Sequence, residues 1–554
     1  MKKAMLCILL SIIALICCGC MSKVALNEVQ ETTAPEHVVS FIPENTPMPE
    51  PTRLNVGILG GSEVLFEYAD ELMNAASTYV NNADGSYALN SSVVEKLDIA
   101  DTEQGKSYTF TLREDLLWSD ESRVTANDYA LGILYDELSG DALLGYEEYK
   151  NSKQPYFSGI RIHDENTLEL IVSKAYCGDF FAAEYVKISP KKSTDSLMAL
   201  DDGYGAYLSG IGEPMDVSCG PYMLFEADEN SALLIRNDGF PGESGYYDEI
   251  LLKLTDDDPA SLIAKGEIDI CPDQGAQETI DGVLELNYPA SYYEALFFRC
   301  DEGVLSDGNI RKAVAHLADM TQYDLISGDY SKAQWQYKES GALPEPYGFD
   351  ILKANELLDM SAYAFEDDGR TAFDPAKAGG EENYLRCDED GNPLEITFLI
   401  PENNAYAKDI ANELSQNAKL SGLSVSFEYT DEESLANEYF YGKEHDGYFL
   451  CMDVGTFDDK YYSFYGGYSG TVFNPMGIDD PDLNVILESM KACKDKAEYL
   501  KLWYEFQVRF SDICPAAFMR CGQESCLISD KLMTGEISPY RSWAQGVAEI
   551  RPKE

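Results

Sequence analysis

Segments with the two-residue period of a strand alternate with segments of helical period along some 500 residues, and no internal repeat accompanies them. Tyr108, Phe110 and Leu112 alternate with Thr109, Thr111 and Arg113, as in a half-buried strand. Past a turn at Trp118-Ser119-Asp120, Thr125 is placed to cap a helix with Asp128 three residues on. Ala130, Ile133, Leu134 and Leu138 form that helix's apolar stripe. Leu168, Leu170 and Val172 mark another strand, and Gly220-Pro221-Tyr222 opens a hairpin whose second arm is Leu233 to Asn237. A strand from Ile250 to Leu254 precedes a short helix through Leu262, Ile263 and Ala264 that stops at Gly266, before Ile268-Asp269-Ile270. Further on, Ile310, Val314 and Leu317 mark a helix, and Leu394, Ile396, Phe398 and Ile400 a strand. A helix through Ile410, Leu414 and Ala418 closes at Gly422, before a strand with Leu423, Val425 and Phe427. Such interleaving predicts an α/β chain, and its length predicts two or three lobes of about 100 to 200 residues each.

The amino-terminal segment reads differently. Lys2 and Lys3 precede an apolar run from Ala4 to Cys18 interrupted by Ser11. A bilayer span takes about 20 apolar residues, so this basic start, short apolar stretch and small exit residues read as a secretory signal over residues 1–20. Gly19-Cys20 resembles a bacterial lipobox, which makes Cys20 the expected lipidated residue, with Cys18 the alternative. Met21 to Thr52 holds Pro35, Pro43, Pro47, Pro49 and Pro51 among Glu and Thr, and cannot bury enough apolar surface to offset chain entropy. Residues 21–52 are read as a tether with a reach of roughly 30 Å.

With 98 Asp plus Glu against 41 Lys plus Arg, the formal net charge is −57. Nucleic acid and anionic membrane surfaces would repel such a chain. Beyond the export segment, ten cysteines are scattered without CxxC pairs; most read as buried thiols, with a bridge from Cys521 to Cys526 left open. The four histidines, His37, His163, His316 and His445, lie far apart with no HExxH or HxH pair, so no metal or other cofactor is expected. Gly467-Tyr468-Ser469-Gly470 is one residue short of a GxSxG elbow, and Ser189-Pro190-Lys191-Lys192 matches SxxK without its companion motifs. No GxxxxGK or GxGxxG run occurs. The residues give no support for an enzyme.

One ordered set of segments carries more information. Tyr108-Thr-Phe-Thr-Leu-Arg113, Trp118-Ser-Asp120 and Val124-Thr-Ala-Asn-Asp128 resemble the signature of the family 5 bacterial extracellular solute-binding proteins, those of oligopeptide and dipeptide importers. Gly220-Pro-Tyr222 with Arg236-Asn237, Lys265-Gly-Glu-Ile-Asp269, Ile310-Arg-Lys-Ala-Val314 with Asp319, and Ala354-Asn-Glu-Leu-Leu358 follow in the family's order. Three positions depart from it: Glu121 stands at the turn glycine, Asp238 where proline is usual, and Met320 where arginine is usual.

This resemblance implies an α/β, type II periplasmic-binding-protein fold of the three-lobed oligopeptide-binding kind, with a ligand cleft between lobes I and III. The implied division gives lobe I residues 53–83, 216–272 and 527–554, lobe II residues 84–215, and lobe III residues 273–526. It further implies a monomeric, lipid-anchored receptor on the extracytoplasmic face of the membrane that passes a peptide or peptide-like solute to an ABC permease and its ATPase subunits. An oligosaccharide receptor of the same fold, and a secreted hydrolase, are the alternative readings. In peptide-binding members an Ala-Asp-Tyr-like segment of lobe III holds the ligand, and Phe449-Leu-Cys451-Met-Asp453 is the similar place here. The resemblance thus implies backbone pairing at Phe449 and Cys451 and a carboxylate at Asp453 for the α-amino group. Tyr461 and Tyr465, in the aromatic loop that follows, are candidates to line a side-chain pocket.

Overall fold

The computed structural model describes residues 51–553 except 136–141, 151–157, 175–184, 193–196, 200–205, 209–216, 244, 277–278, 381–383 and 456–462. The predicted signal, Cys20 and nearly all of the predicted tether lie outside the described residues. At Thr52 the chain is already joined to the body, since the Thr52 amide and hydroxyl donate to Asp248 at 2.8 and 2.9 Å.

Ten strands form one sheet: β1 Arg53–Ile58, β2 Tyr222–Ala227, β3 Ser231–Arg236, β4 Glu249–Leu254, β5 Ile270–Cys271, β6 Val283–Phe298, β7 Glu395–Pro401, β8 Ser424–Thr430, β9 Gly447–Asp453 and β10 Ala516–Ser529. Their order across the sheet is β2-β3-β4-β1-β5-β10-β6-β9-β7-β8. Its apolar clusters gather at the two ends. At one end Leu54, Leu65, Tyr222, Leu252 and Trp543 pack under the helix Ser62–Met73. At the other, Leu296, Ile396, Ile410 and Phe449 pack on one face, while Phe297, Leu435, Trp503 and Phe506 pack on the opposite face. These ends are lobes I and III. Between them run β6 and β10, 16 and 14 residues long, which cross from one lobe to the other. Their antiparallel register shifts twice, between Pro289 and Tyr293 and between Glu294 and Leu296, which bends the pair where the lobes meet.

Lobe II is a separate four-stranded antiparallel sheet of Val94–Asp101, Gly105–Leu112, Ile160–Asp164 and Thr167–Ser173. Tyr108, Phe110, Leu168 and Leu170 point to its core with Trp118 and the helix Ala126–Tyr135. The Thr125 cap differs from expectation: both its amide and its hydroxyl donate to Asp128, at 2.7 and 2.8 Å. Only the returning half of a capping box is formed. The other expected stops hold: Gly266 and Gly422 are left-handed C-caps with φ of 74° and 76°. No helix among the described residues is long and apolar enough to cross a membrane. None of the nine cysteines among them is in a disulfide. Cys521 and Cys526 pack into different cores, so the bridge left open between them does not form.

Candidate ligand-binding site

The site follows from strand direction. In lobe I, β1, β4 and β5 run parallel to one another, and in lobe III so do β7, β8 and β9. Because β5 opposes β10, and β6 opposes both β10 and β9, the two parallel sets run against each other. Their carboxyl ends therefore face one another across the β6–β10 bend. Each set also contains a topological switch. The helix Ser62–Met73 after β1 packs in one core and the helix Pro259–Lys265 after β4 in another. Likewise Ala405–Asn417 after β7 and Glu432–Tyr441 after β8 lie on opposite faces of lobe III. Crevices at the carboxyl ends of strands, where successive connections part, are where open α/β sheets take ligands. Here they fall between β1 and β5, and between β7 and β9.

The β7–β9 ladder spans only Gly447 and Tyr448, whereas β6 partners β9 all the way to Asp453. Beyond Tyr448 the chain of β7 turns away through Pro401 into its helix. Asn404 caps that helix, accepting from the Ala407 amide at 2.9 Å, and donates through Nδ2 to Glu294 at 2.7 Å. Glu294 is also bound by Arg520, whose Nε and Nη2 lie at 2.8 and 2.6 Å and whose guanidinium sits 4.0 Å over the Tyr406 ring.

Asp453 ends β9, and Asp273 follows β5 at the corresponding place in lobe I. Asp273 has φ of 60°, a left-handed backbone that aspartate tolerates better than most residues. Tyr68 donates to Asp273 Oδ2 at 2.7 Å. Burial first, and then the Asp273 and Glu71 carboxylates, push the Tyr68 hydroxyl well above its ordinary range, so it remains a donor. Burial with the charges of Glu524 and Asp273 raises Tyr288, and burial with Cys451, Glu294 and Glu524 raises Tyr292. These overlapping neighbourhoods carry a row of phenols and carboxylates from lobe I to lobe III. Among the described residues of this row Arg520 is the cation, and Glu294 engages it.

The structure distributes the sequence candidates unevenly. Phe449 is 2% exposed, with its ring against Tyr406 in the lobe III core, so only its backbone is available to a ligand. Cys451 and Asp453 are half-buried and pair in register with Glu294 and Tyr292. Tyr465 is directed to the helix Pro481–Ala492, where its hydroxyl donates to Glu488 at 2.9 Å. Tyr461 lies outside the described residues. Sequence reasoning missed Tyr68, Asp273, Tyr288, Tyr292, Glu294, Asn404, Arg520 and Glu524. Asp273 and Asn404 follow strand ends, whereas Tyr68 lies within a helix and the others within β6 and β10, where no local pattern marks them. No group of three His, Cys, Asp or Glu side chains among the described residues could hold a metal ion.

Residues 93–474 match the family described as bacterial extracellular solute-binding proteins, family 5 Middle. The chain belongs to this family. Among curated relatives of this family 5 protein, the oligopeptide-binding protein OppA of Lactococcus lactis is 22% identical over 391 residues, 59% of each chain. The dipeptide-binding protein of Escherichia coli K12 is 20% identical over 311 residues, 48% of this chain and 54% of the relative. The matched part thus spans somewhat over half the length of these curated relatives. Among solved structures, a putative peptide-binding protein AppA from Clostridium difficile superimposes with a TM-score of 0.68 at 16% identity, covering 91% of this chain and 100% of that one. The fold of this family 5 protein is therefore the three-lobed, type II binding-protein fold.

Proposed function

We propose that this family 5 protein is a lipid-anchored extracytoplasmic receptor that captures a peptide or peptide-like solute between lobes I and III and delivers it to an ABC permease. The observation that carries the reading is the position of Asp453, at the carboxyl end of β9 and beside the switch-point crevice. A carboxylate there suits an α-ammonium group, and the strand end beside it offers backbone to an extended chain. The names of the curated relatives, a dipeptide-binding and an oligopeptide-binding protein, support the same ligand class. Cys20 is the proposed lipidation site, and the monomeric state and the lobe boundaries read from the sequence are kept as part of this proposal.

Calorimetry with a library of short peptides, on wild type and Asp453→Asn, tests the reading. In a closed cleft the substitution weakens binding by about 2 to 5 kcal/mol, as for a truncated buried charge pair. Acetylating the peptide's amino group weakens wild-type binding comparably, and the two changes together cost much less than their sum. Equal affinity for free and acetylated peptides would remove Asp453 as an amino-terminal clamp.

A further inference from the structure

The two residues that follow Asp453 are a meeting point of all three lobes. The Val454 amide donates to the Ser291 carbonyl, in the bent part of β6, at 2.6 Å. The Val454 carbonyl accepts from the Tyr540 hydroxyl at 3.1 Å, and the Gly455 carbonyl accepts from Gln334 Nε2 at 2.7 Å. Tyr540 belongs to lobe I: it is 8% exposed and lies one turn of chain, Arg541-Ser542, before Trp543 and Ala544 of that lobe's core. Its own carbonyl accepts from Asn81 Nδ2 at 2.8 Å. Asn81 lies on the hairpin of Tyr79–Asn81 and Tyr87–Leu89, whose Tyr79 packs against the lobe II core, and its Oδ1 accepts from Lys187 at 2.7 Å. The tip of the same hairpin reaches lobe III, where the Trp335 amide donates to the Asp84 carbonyl at 2.9 Å.

We infer that Tyr540 and Asn81 form a latch that holds the lobes together and fixes the backbone carrying Asp453. Val454 is fully buried, so its carbonyl is costly to leave without a donor. Moving lobe I away from lobe III withdraws the Tyr540 hydroxyl from that carbonyl. The hairpin straddles the boundary between lobes I and II, so moving the body of lobe II, to which Lys187 ties Asn81, pulls Asn81 from Tyr540. Opening of either lobe thus disturbs the strand end at Asp453, and a ligand seated there is released when the latch parts. Tyr540 is a positioning residue in this scheme, acting through Val454 without touching the solute. The inference rests on the reading of the chain as a closing receptor, but its first test requires no ligand.

Small-angle scattering and hydrogen exchange on the ligand-free protein compare wild type with Tyr540→Phe and Asn81→Ala. The latch predicts a larger radius of gyration for both variants, faster exchange at the Val454 amide, and a melting temperature close to wild type for Asn81→Ala but lowered for Tyr540→Phe, which leaves the buried Val454 carbonyl without its donor. The double variant should open little more than either single one, because both sever one chain of contacts. Should Tyr540→Phe fail to fold, Asn81→Ala, on a surface hairpin, decides alone. Where a library peptide binds, its dissociation should quicken about three- to tenfold in each variant, the range of one hydrogen bond. Opening of the variants with no peptide bound by any form would uphold the latch and remove the peptide reading. Scattering and exchange identical to wild type in a folded variant would overturn the latch, whatever peptides bind.

Discussion

Glu121 is a residue on which sequence and backbone disagree. The resemblance places glycine there, and the backbone still has a glycine's conformation, with φ of 66°. Its neighbours hold it so: the Glu121 amide donates to the Trp118 carbonyl at 2.9 Å and the Trp118 amide to the Ser122 carbonyl at 2.8 Å. Lys192 reaches the Asp120 side chain at 2.6 Å. A left-handed residue with a Cβ costs about 1 to 2 kcal/mol, and glycine loses up to about 1 kcal/mol more chain entropy on folding. Glu121→Gly should therefore stabilise the protein by up to about 1 kcal/mol, measured as a higher urea midpoint with unchanged slope. Glu121→Ala should give no such gain, since alanine keeps the Cβ. At this scale the sequence was legible through the family motif, because a turn's backbone is written in a few adjacent residues.

Among the elements, the paired strands β6 and β10 decide how the site is built. Gly522 sits where their register shifts, and a Cβ there would lie 2.4 Å from Cε2 of the Tyr292 ring. Gly522→Ala must displace that ring, with an expected loss of about 1 to 3 kcal/mol in stability from overpacking. Tyr292 is the register partner of Asp453, so peptide affinity should fall as well. Calorimetry and thermal melting of the variant check both, and an unchanged affinity would detach Tyr292 from the ligand crevice. The strands and helices themselves were readable from periodicity: Tyr108 to Leu112, Leu394 to Ile400 and Ile410 to Ala418 all fall on or beside the observed elements. The register shift was not readable. It depends on which residue of one strand faces which of another more than 200 positions away.

For the whole molecule the dominant long-range force is self-repulsion from a formal charge of −57. Ion pairs such as Arg509 with Asp480 and Arg520 with Glu294 offset this locally, but acidic groups far outnumber basic ones. Added salt screens the repulsion within a Debye length of about 10 Å at 0.1 M. The melting temperature should therefore rise between about 0.01 and 0.1 M sodium chloride. A fall over that range would mean that specific ion pairs outweigh the net charge.

The sequence by itself determined the alternation of strand and helix, the stops at Gly266 and Gly422, the order of family segments and the candidacy of Asp453. Each is local, set by side-chain period, by a residue's own φ preference or by a short motif. Only the tertiary structure decided what surrounds Asp453. Tyr292 of β6 is its register partner, and Tyr540 reaches the adjoining Val454 from 86 positions away. They meet because two sets of parallel strands present their carboxyl ends to each other across β6 and β10, a consequence of strand pairing that no local pattern encodes.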